Sequence, residues 1–166
     1  MKLVGEKLEN YAVSESDENI KDLFGRSAFN RYYYAAFLIT REMLGGINPK
    51  WKKTPHKEIP ELLKGAVRKP VIQRLKQNAK KDLITNGELS ALQTKLTNAT
   101  NELANLLVQA YDVRLIADYE PERHILIKNR VIILSSCKLT SANNWADRAS
   151  AYCKDIRKAW KGSGLV

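Results

Sequence analysis

GELSALQTKLTNATNELANLLVQAYDVRLIADYEP, from Gly87 to Pro121, decides the fold. Its apolar residues Leu89, Leu92, Leu96, Ala99, Leu103, Leu106, Ala110, Val113 and Ile116 recur at alternating steps of three and four. That spacing is the seam of one amphipathic α-helix of about eight turns, closed by Pro121, which has no backbone N–H to continue it. An apolar stripe of this length has to be covered by other helices, so the class is all-α.

Working toward the N-terminus, Ser14-Glu15-Ser16-Asp17 forms a capping box ahead of Ile20, Leu23 and Phe24. The helical pattern then runs through Ala28, Arg31, Ala35 and Leu38 to the stop at Gly45-Gly46. A shorter amphipathic piece from Leu3 to Tyr11 precedes it, with Leu8 and Tyr11 toward the core. Between Gly45 and Asn86 lie four of the five prolines, Pro49, Pro55, Pro60 and Pro70, so only short helices fit there, at 58–66 and 70–82. Toward the C-terminus, Ile125-Leu126-Ile127 and Arg130 to Leu134 are rich in β-branched residues and flank Lys128-Asn129, the pattern of a small hairpin over 125–134. A last helix starts at Thr140 or Ser141 and passes Trp145, Ala149, Tyr152, Ile156 and Trp160 before ending at Gly162. The expected architecture is an up-and-down helical bundle forming a single domain over 1–166.

A chain of 166 residues buries enough surface to fold without a metal or disulfide. Cys137 and Cys153 have neither CxxC spacing nor ligand neighbours, so they read as apolar fillers in a reducing compartment. No stretch approaches the roughly 20 apolar residues needed to span a bilayer, and the N-terminus has no signal-peptide core. The expected protein is cytoplasmic, with no membrane association. There is no HExxH, no glycine-rich phosphate loop and no Ser-His-Asp order, and neither a metal nor a cofactor is expected.

Charge is the next constraint. Of the formal +10, nearly all lies in residues 50–81, where 11 Lys or Arg face two Glu. Lys50, Lys52, Lys53, Lys57, Arg68, Lys69 and Arg74, with Lys64, Lys76, Lys80 and Lys81, make this connector either a solvated face or a phosphate-binding surface that works by counterion release. An acidic protein partner would satisfy the same charges.

Two arginines fall inside otherwise well-patterned helices. Arg31 shares the core-facing stripe of its helix with Tyr34, Ala35 and Leu38, whereas Arg114 shares a face with Tyr111 and Asp118, with Tyr119 about 100° round. A guanidinium on such a face needs a carboxylate or hydrogen-bonding partner. If the two helices pack antiparallel, the clusters meet. They then form either a structural polar network centred on Asp118 and Tyr111, or a cleft in which arginine grips phosphate and tyrosine stacks on bases. His56, in the loop Lys53-Thr54-Pro55-His56-Lys57, and His124 are the only histidines.

Arg31 with Tyr33-Tyr34-Ala35, His56 after a basic loop, and the ending Arg114-x-x-Ala117-Asp118-Tyr119 together resemble the HEPN family (higher eukaryotes and prokaryotes nucleotide-binding) over residues 20–160. The resemblance implies a helical bundle that forms homodimers, with roles in toxin-antitoxin pairs, antiviral defence and RNA cleavage, in some members beside a nucleotidyltransferase. Active HEPN ribonucleases place a histidine four to six residues beyond the arginine. Here Tyr119, Glu120 and Pro121 stand in that place. RNA or nucleotide binding is therefore the first expectation, with Arg31, Tyr34 and the basic segment as phosphate-binding residues. The alternatives are an interaction subunit for a nucleotidyltransferase or antitoxin protein, and a metal-independent endoribonuclease with a variant site built from Arg114, His56 and Tyr119.

Overall fold

The structure, a computed structural model, describes residues 1–165. It is mainly helical with one small antiparallel sheet. In chain order come α1 (Lys2–Ser14), α2 (Glu18–Ile47), two 3-10 turns (Pro49–Lys53 and His56–Glu58), α3 (Ile59–Leu62), a π turn (Leu63–Val67), α4 (Arg68–Lys80) and α5 (Asn86–Tyr119). Strands β1 (Leu126–Lys128), β2 (Val131–Leu134) and β3 (Cys137–Lys138) follow, then α6 (Leu139–Asn143) and α7 (Trp145–Gly162). Among the described residues no helix is long and apolar enough to cross a membrane.

Local chemistry accounts for these boundaries. Asp17 caps α2, its Oδ1 accepting from Asn19 N at 2.8 Å and Ile20 N at 3.1 Å. The capping residue is thus the last of the four expected ones, while Ser14 closes α1 by donating to the Asn10 carbonyl at 3.0 Å. At α5 the box is Thr85 with Glu88, each accepting from the other's backbone N–H. The two short helices expected at 58–66 and 70–82 are one nearly continuous run interrupted by the π turn. The insertion shifts the hydrogen-bond register just ahead of Pro70, where a missing N–H would otherwise break the ladder. The last helix is likewise divided, at Asn144.

The chain falls into two compact units. The first comprises Met1–Leu38 and Leu107–Arg148. Its α2 portion runs antiparallel to its α5 portion, with Arg26 against Ile116 to Arg123 and Tyr33 against Tyr111. Its core holds Phe29, Tyr32, Tyr33 and Ala36 from α2 with Ala110 and Ala117 from α5. This corrects the expected stripe, since Arg31, Tyr34 and Leu38 are only half-buried and the deepest line is shifted round the helix. On α1 the buried residues are Gly5 and Ala12, not Leu8 and Tyr11; Tyr11 is exposed and lays its ring against Phe24 at 5.6 Å.

The sheet of this unit has order β1-β2-β3, with Leu126 opposite Ile133 and Leu134 opposite Cys137. Its hairpin turns on Asn129 and Arg130, both at positive φ, and Ser135 at φ 53° starts the bend into a third strand that the expected hairpin lacked. Ile132 and Leu134 are buried. The sheet and its entry lie close on α2 at Gly25, where a Cβ would stand 2.5 Å from Ile125 Cδ1 and 3.4 Å from Ile132 Cγ2, so a larger residue there requires these side chains to shift.

The second unit comprises Ile39–Leu106 and the chain from Ala149 on. Met43 and Leu44 of α2, Ile59, Leu63, Val67, Val71 and Leu75 of the α3 to α4 run, Leu96 and Leu103 of α5 and Ile156 of α7 form its core. The α5 seam begins to bury at Leu96, Leu92 upstream being exposed. Arg68 donates to Asn101 Oδ1 at 2.9 Å, and Lys95 pairs with Asp155 at 2.9 Å.

Candidate functional site

Within the first unit the two arginine-bearing segments meet, as antiparallel packing requires. Arg114 Nε lies 2.7 Å from Asp118 Oδ2 one turn ahead, close enough for an ion pair but without the alignment of a hydrogen bond. The guanidinium lies between two rings, 5.2 Å from the centroid of Tyr119 and 6.0 Å from that of Tyr34. Burial works to lower the Arg114 pKa, but the Tyr119 hydroxyl and the Asp118 carboxylate outweigh it and hold the group above its ordinary value. Tyr111 packs its ring on Tyr33, 5.8 Å between centroids, and Tyr33 on Tyr34 at 5.4 Å. Burial raises the Tyr33 hydroxyl, so it stays protonated.

Asp118 also accepts from Asn30 Nδ2 at 2.6 Å, while Asn30 Oδ1 is buried with no hydrogen-bond partner. Asn30 and Asp118 line a cleft of about 300 Å³ together with Leu23, Arg26, Ser27 and Arg31. Arg31 makes no ion pair there among the described residues, although Asp118 lines the same cleft; its NH1 is 4.0 Å from Met1 Sδ. Of the two arginines singled out from sequence, Arg114 is therefore charge-compensated internally and Arg31 is the one left to meet an anion.

The buried arginine is one that sequence patterning passed over. Arg26 is 9% exposed and donates to four backbone carbonyls at the end of α5 and beyond. Nε reaches Ala117 O at 2.9 Å, NH2 reaches Ile116 O at 3.0 Å, and NH1 reaches Glu120 O at 3.0 Å and Arg123 O at 2.7 Å. It serves as the C-terminal cap of α5, donating to Ala117 O and Arg123 O, adding a second donor to Ile116 O and Glu120 O, which also accept from the backbone N–H groups of Glu120 and Arg123, and placing a cation at the negative end of the helix dipole. A signal existed. The last turn of α5 has no basic residue and no glycine follows it, so its carbonyls must draw donors from elsewhere in the fold.

Asp22 extends the same clasp. Its Oδ1 accepts from Ile125 N at 2.7 Å, and its Oδ2 lies 3.9 Å from Arg26 Nε and 3.5 Å from Nδ1 of the exposed His124. The entry to the sheet is thereby fastened to α2.

The lysine-rich segment belongs to the second unit. Lys50, Lys52, Lys53, Lys57, Lys69, Lys76, Lys80 and Lys81 are exposed, and none of their ammonium groups has an ion pair or hydrogen bond among the described residues. Lys69, Lys76 and Lys80 share one stripe of α4, and Arg74 makes a long contact of 3.4 Å with Gln77 on another side. Arg68 is half-buried and held by Asn101, and Lys64 lies 4.0 Å from Glu61. His56, half-buried, opens the second 3-10 turn of this unit, whereas Arg114 and Tyr119 belong to the first. Among the described residues no cluster of His, Cys, Asp and Glu is arranged to hold a metal.

Compared with protein-family models, with curated proteins and with solved structures, the chain gives no match.

Proposed function

We propose that this protein binds RNA through the lysine-rich surface of residues 50–81. The observation that carries the reading is that this excess charge is solvent-facing and unmatched. Eight exposed lysines without counter-charges repel one another, and a polyanion relieves that repulsion while releasing its own condensed ions. The HEPN resemblance supports the same conclusion, and in the first unit Arg31, which makes no ion pair among the described residues, is a separate place for a phosphate.

Binding of a labelled single-stranded RNA, followed by anisotropy between 50 and 200 mM salt, tests this. The expected result is a log-log slope of about −3 or steeper, about 0.7 for each phosphate engaged. Affinity unchanged over that range rejects the proposal. A polyacidic peptide that binds as tightly as RNA instead favours an acidic protein partner.

A further inference from the structure

The second unit holds a cleft of about 640 Å³, the size of a small-molecule site. Its wall carries Lys52 from the first 3-10 turn and Arg157, Trp160 and Lys161 from the last turns of α7. Glu42 and the glycine pair Gly45-Gly46 of α2 share the lining, Gly45 directly against Lys52. Three cations against one carboxylate give the cleft a net positive lining. They do not pair with one another's surroundings: none of the three has an ion pair or hydrogen bond among the described residues.

Trp160 is the other half of the argument. It is half-buried, and Trp51 meets it edge-to-face at 5.9 Å and 81°, which holds the indole in a set orientation. The two glycines differ in the room beside them. A Cβ on Gly45 would crowd Lys52 at 3.2 Å, whereas one on Gly46 would meet nothing within 4 Å. The space above Gly46 is room that a side chain could occupy but does not.

A held indole beside three unmatched cations suits a ligand that is flat and apolar on one part and anionic on the next. Cations alone would call for any polyanion, and an indole alone for any apolar ring. Together they describe an unpaired nucleobase with its flanking phosphates. Lys52 belongs to the lysine-rich segment, so the cleft continues the surface proposed above. Building on that proposal, we infer that this cleft takes one unpaired base of a single-stranded RNA, stacked on Trp160, with the adjacent phosphates on Lys52, Arg157 and Lys161. A base held within a duplex cannot enter. The surface thereby distinguishes single strands from duplex.

The test compares three probes at one salt concentration: a single-stranded RNA 12-mer, the same sequence as a duplex, and inorganic polyphosphate, which has the charge without bases. Tryptophan fluorescence and equilibrium binding are read for the wild type, Trp160→Leu and Gly46→Leu. Gly46 lines the cleft from a helical position with open space beside it, so Gly46→Leu crowds the cleft and keeps the fold, whereas Trp160→Leu also removes the contact with Trp51. The wild type is expected to prefer single strand and to show quenching with it alone. Both variants are expected to lose about tenfold in single-strand affinity, the size of one base-aromatic stack, with polyphosphate binding unchanged. Single-strand affinity within twofold of wild type in Gly46→Leu, with RNA still bound, overturns the cleft alone. Failure of the wild type to bind either RNA or polyphosphate overturns the cleft and the broader RNA-binding proposal together.

Discussion

The most prominent cations of the two units are answered in opposite ways. In the first, Arg26 is enclosed by four carbonyls and Arg114 is paired with Asp118 between two tyrosine rings. In the second, eight lysines face solvent without partners. A cation matched inside the fold is held there because an unmatched one would carry the full cost of desolvation. One left on the surface has no such constraint, and its charge is available to a partner. Arginines that look alike in sequence are thus divided by what answers them. Arg26 and Arg114 hold the first unit together, Arg31 remains open in a cleft, and the lysines form a surface.

The sharpest way to break this contrast is to remove Arg26. Arg26→Ala leaves the end of α5 uncapped and takes the guanidinium donor from Ala117 O and Arg123 O, while Ile116 O and Glu120 O keep their backbone donors, and is expected to lower stability by about 3 kcal/mol in urea unfolding. A loss below about 1 kcal/mol would show that water replaces the guanidinium and that the clasp is not structural.

A second effect arises in the second unit at alkaline pH. Burial raises the Cys153 thiol to about 11, against the lowering effects of Thr40 and Arg157. The unfolded chain's thiol ionises near 9, so it releases its proton first. Stability is full below about pH 9 and falls as pH rises toward 11, by up to about 3 kcal/mol. Cys153→Ala should flatten that part of the profile. The same burial predicts slow reaction with thiol reagents at pH 8 in the folded protein, for Cys153 and for Cys137, which burial also raises to about 11.

Arg114 and Asp118 should be coupled by about 1 kcal/mol in a double-mutant cycle with Arg114→Met and Asp118→Asn, since both side chains are largely withdrawn from solvent. Zero coupling would make the pair incidental and return Arg114 to the set of cations open to phosphate. The smallest stability effect is expected for Lys69→Gln, Lys76→Gln and Lys80→Gln combined, within about 0.5 kcal/mol of wild type. That same triple variant should reduce the salt slope of RNA binding by about 2. A large loss of stability with an unchanged slope would reverse the assignment of roles between the units.

Much of the fold was legible because its signals are local. Apolar spacing from Leu89 to Ile116 located α5, Gly45-Gly46 and Gly162 marked helix ends, and β-branched runs with an intervening asparagine located the hairpin. The π turn before Pro70 was not legible, since proline announces a break without saying whether the chain stops or changes register. The third strand was missed because two residues, Cys137-Lys138, are too short to show an alternation.

Of the candidate site, sequence showed that Arg31, Tyr34, Tyr111, Arg114 and Asp118 would face one another if their helices ran antiparallel, and within the first unit they do. It did not show which arginine would be buried. Helical periodicity reports the direction a side chain points, modulo 100° per residue, but not the depth of the surface it meets. Arg26 and Arg31 both lie near the interior side of α2, and the difference between them is set by a helix end some ninety residues away.

Where the helices lie and where the charge is concentrated can be read along the chain, because spacing and composition are properties of neighbouring residues. Which charges are answered and which are left open follows from the folded molecule, because a carbonyl, a carboxylate or an indole becomes a partner when folding brings distant segments within a few ångströms.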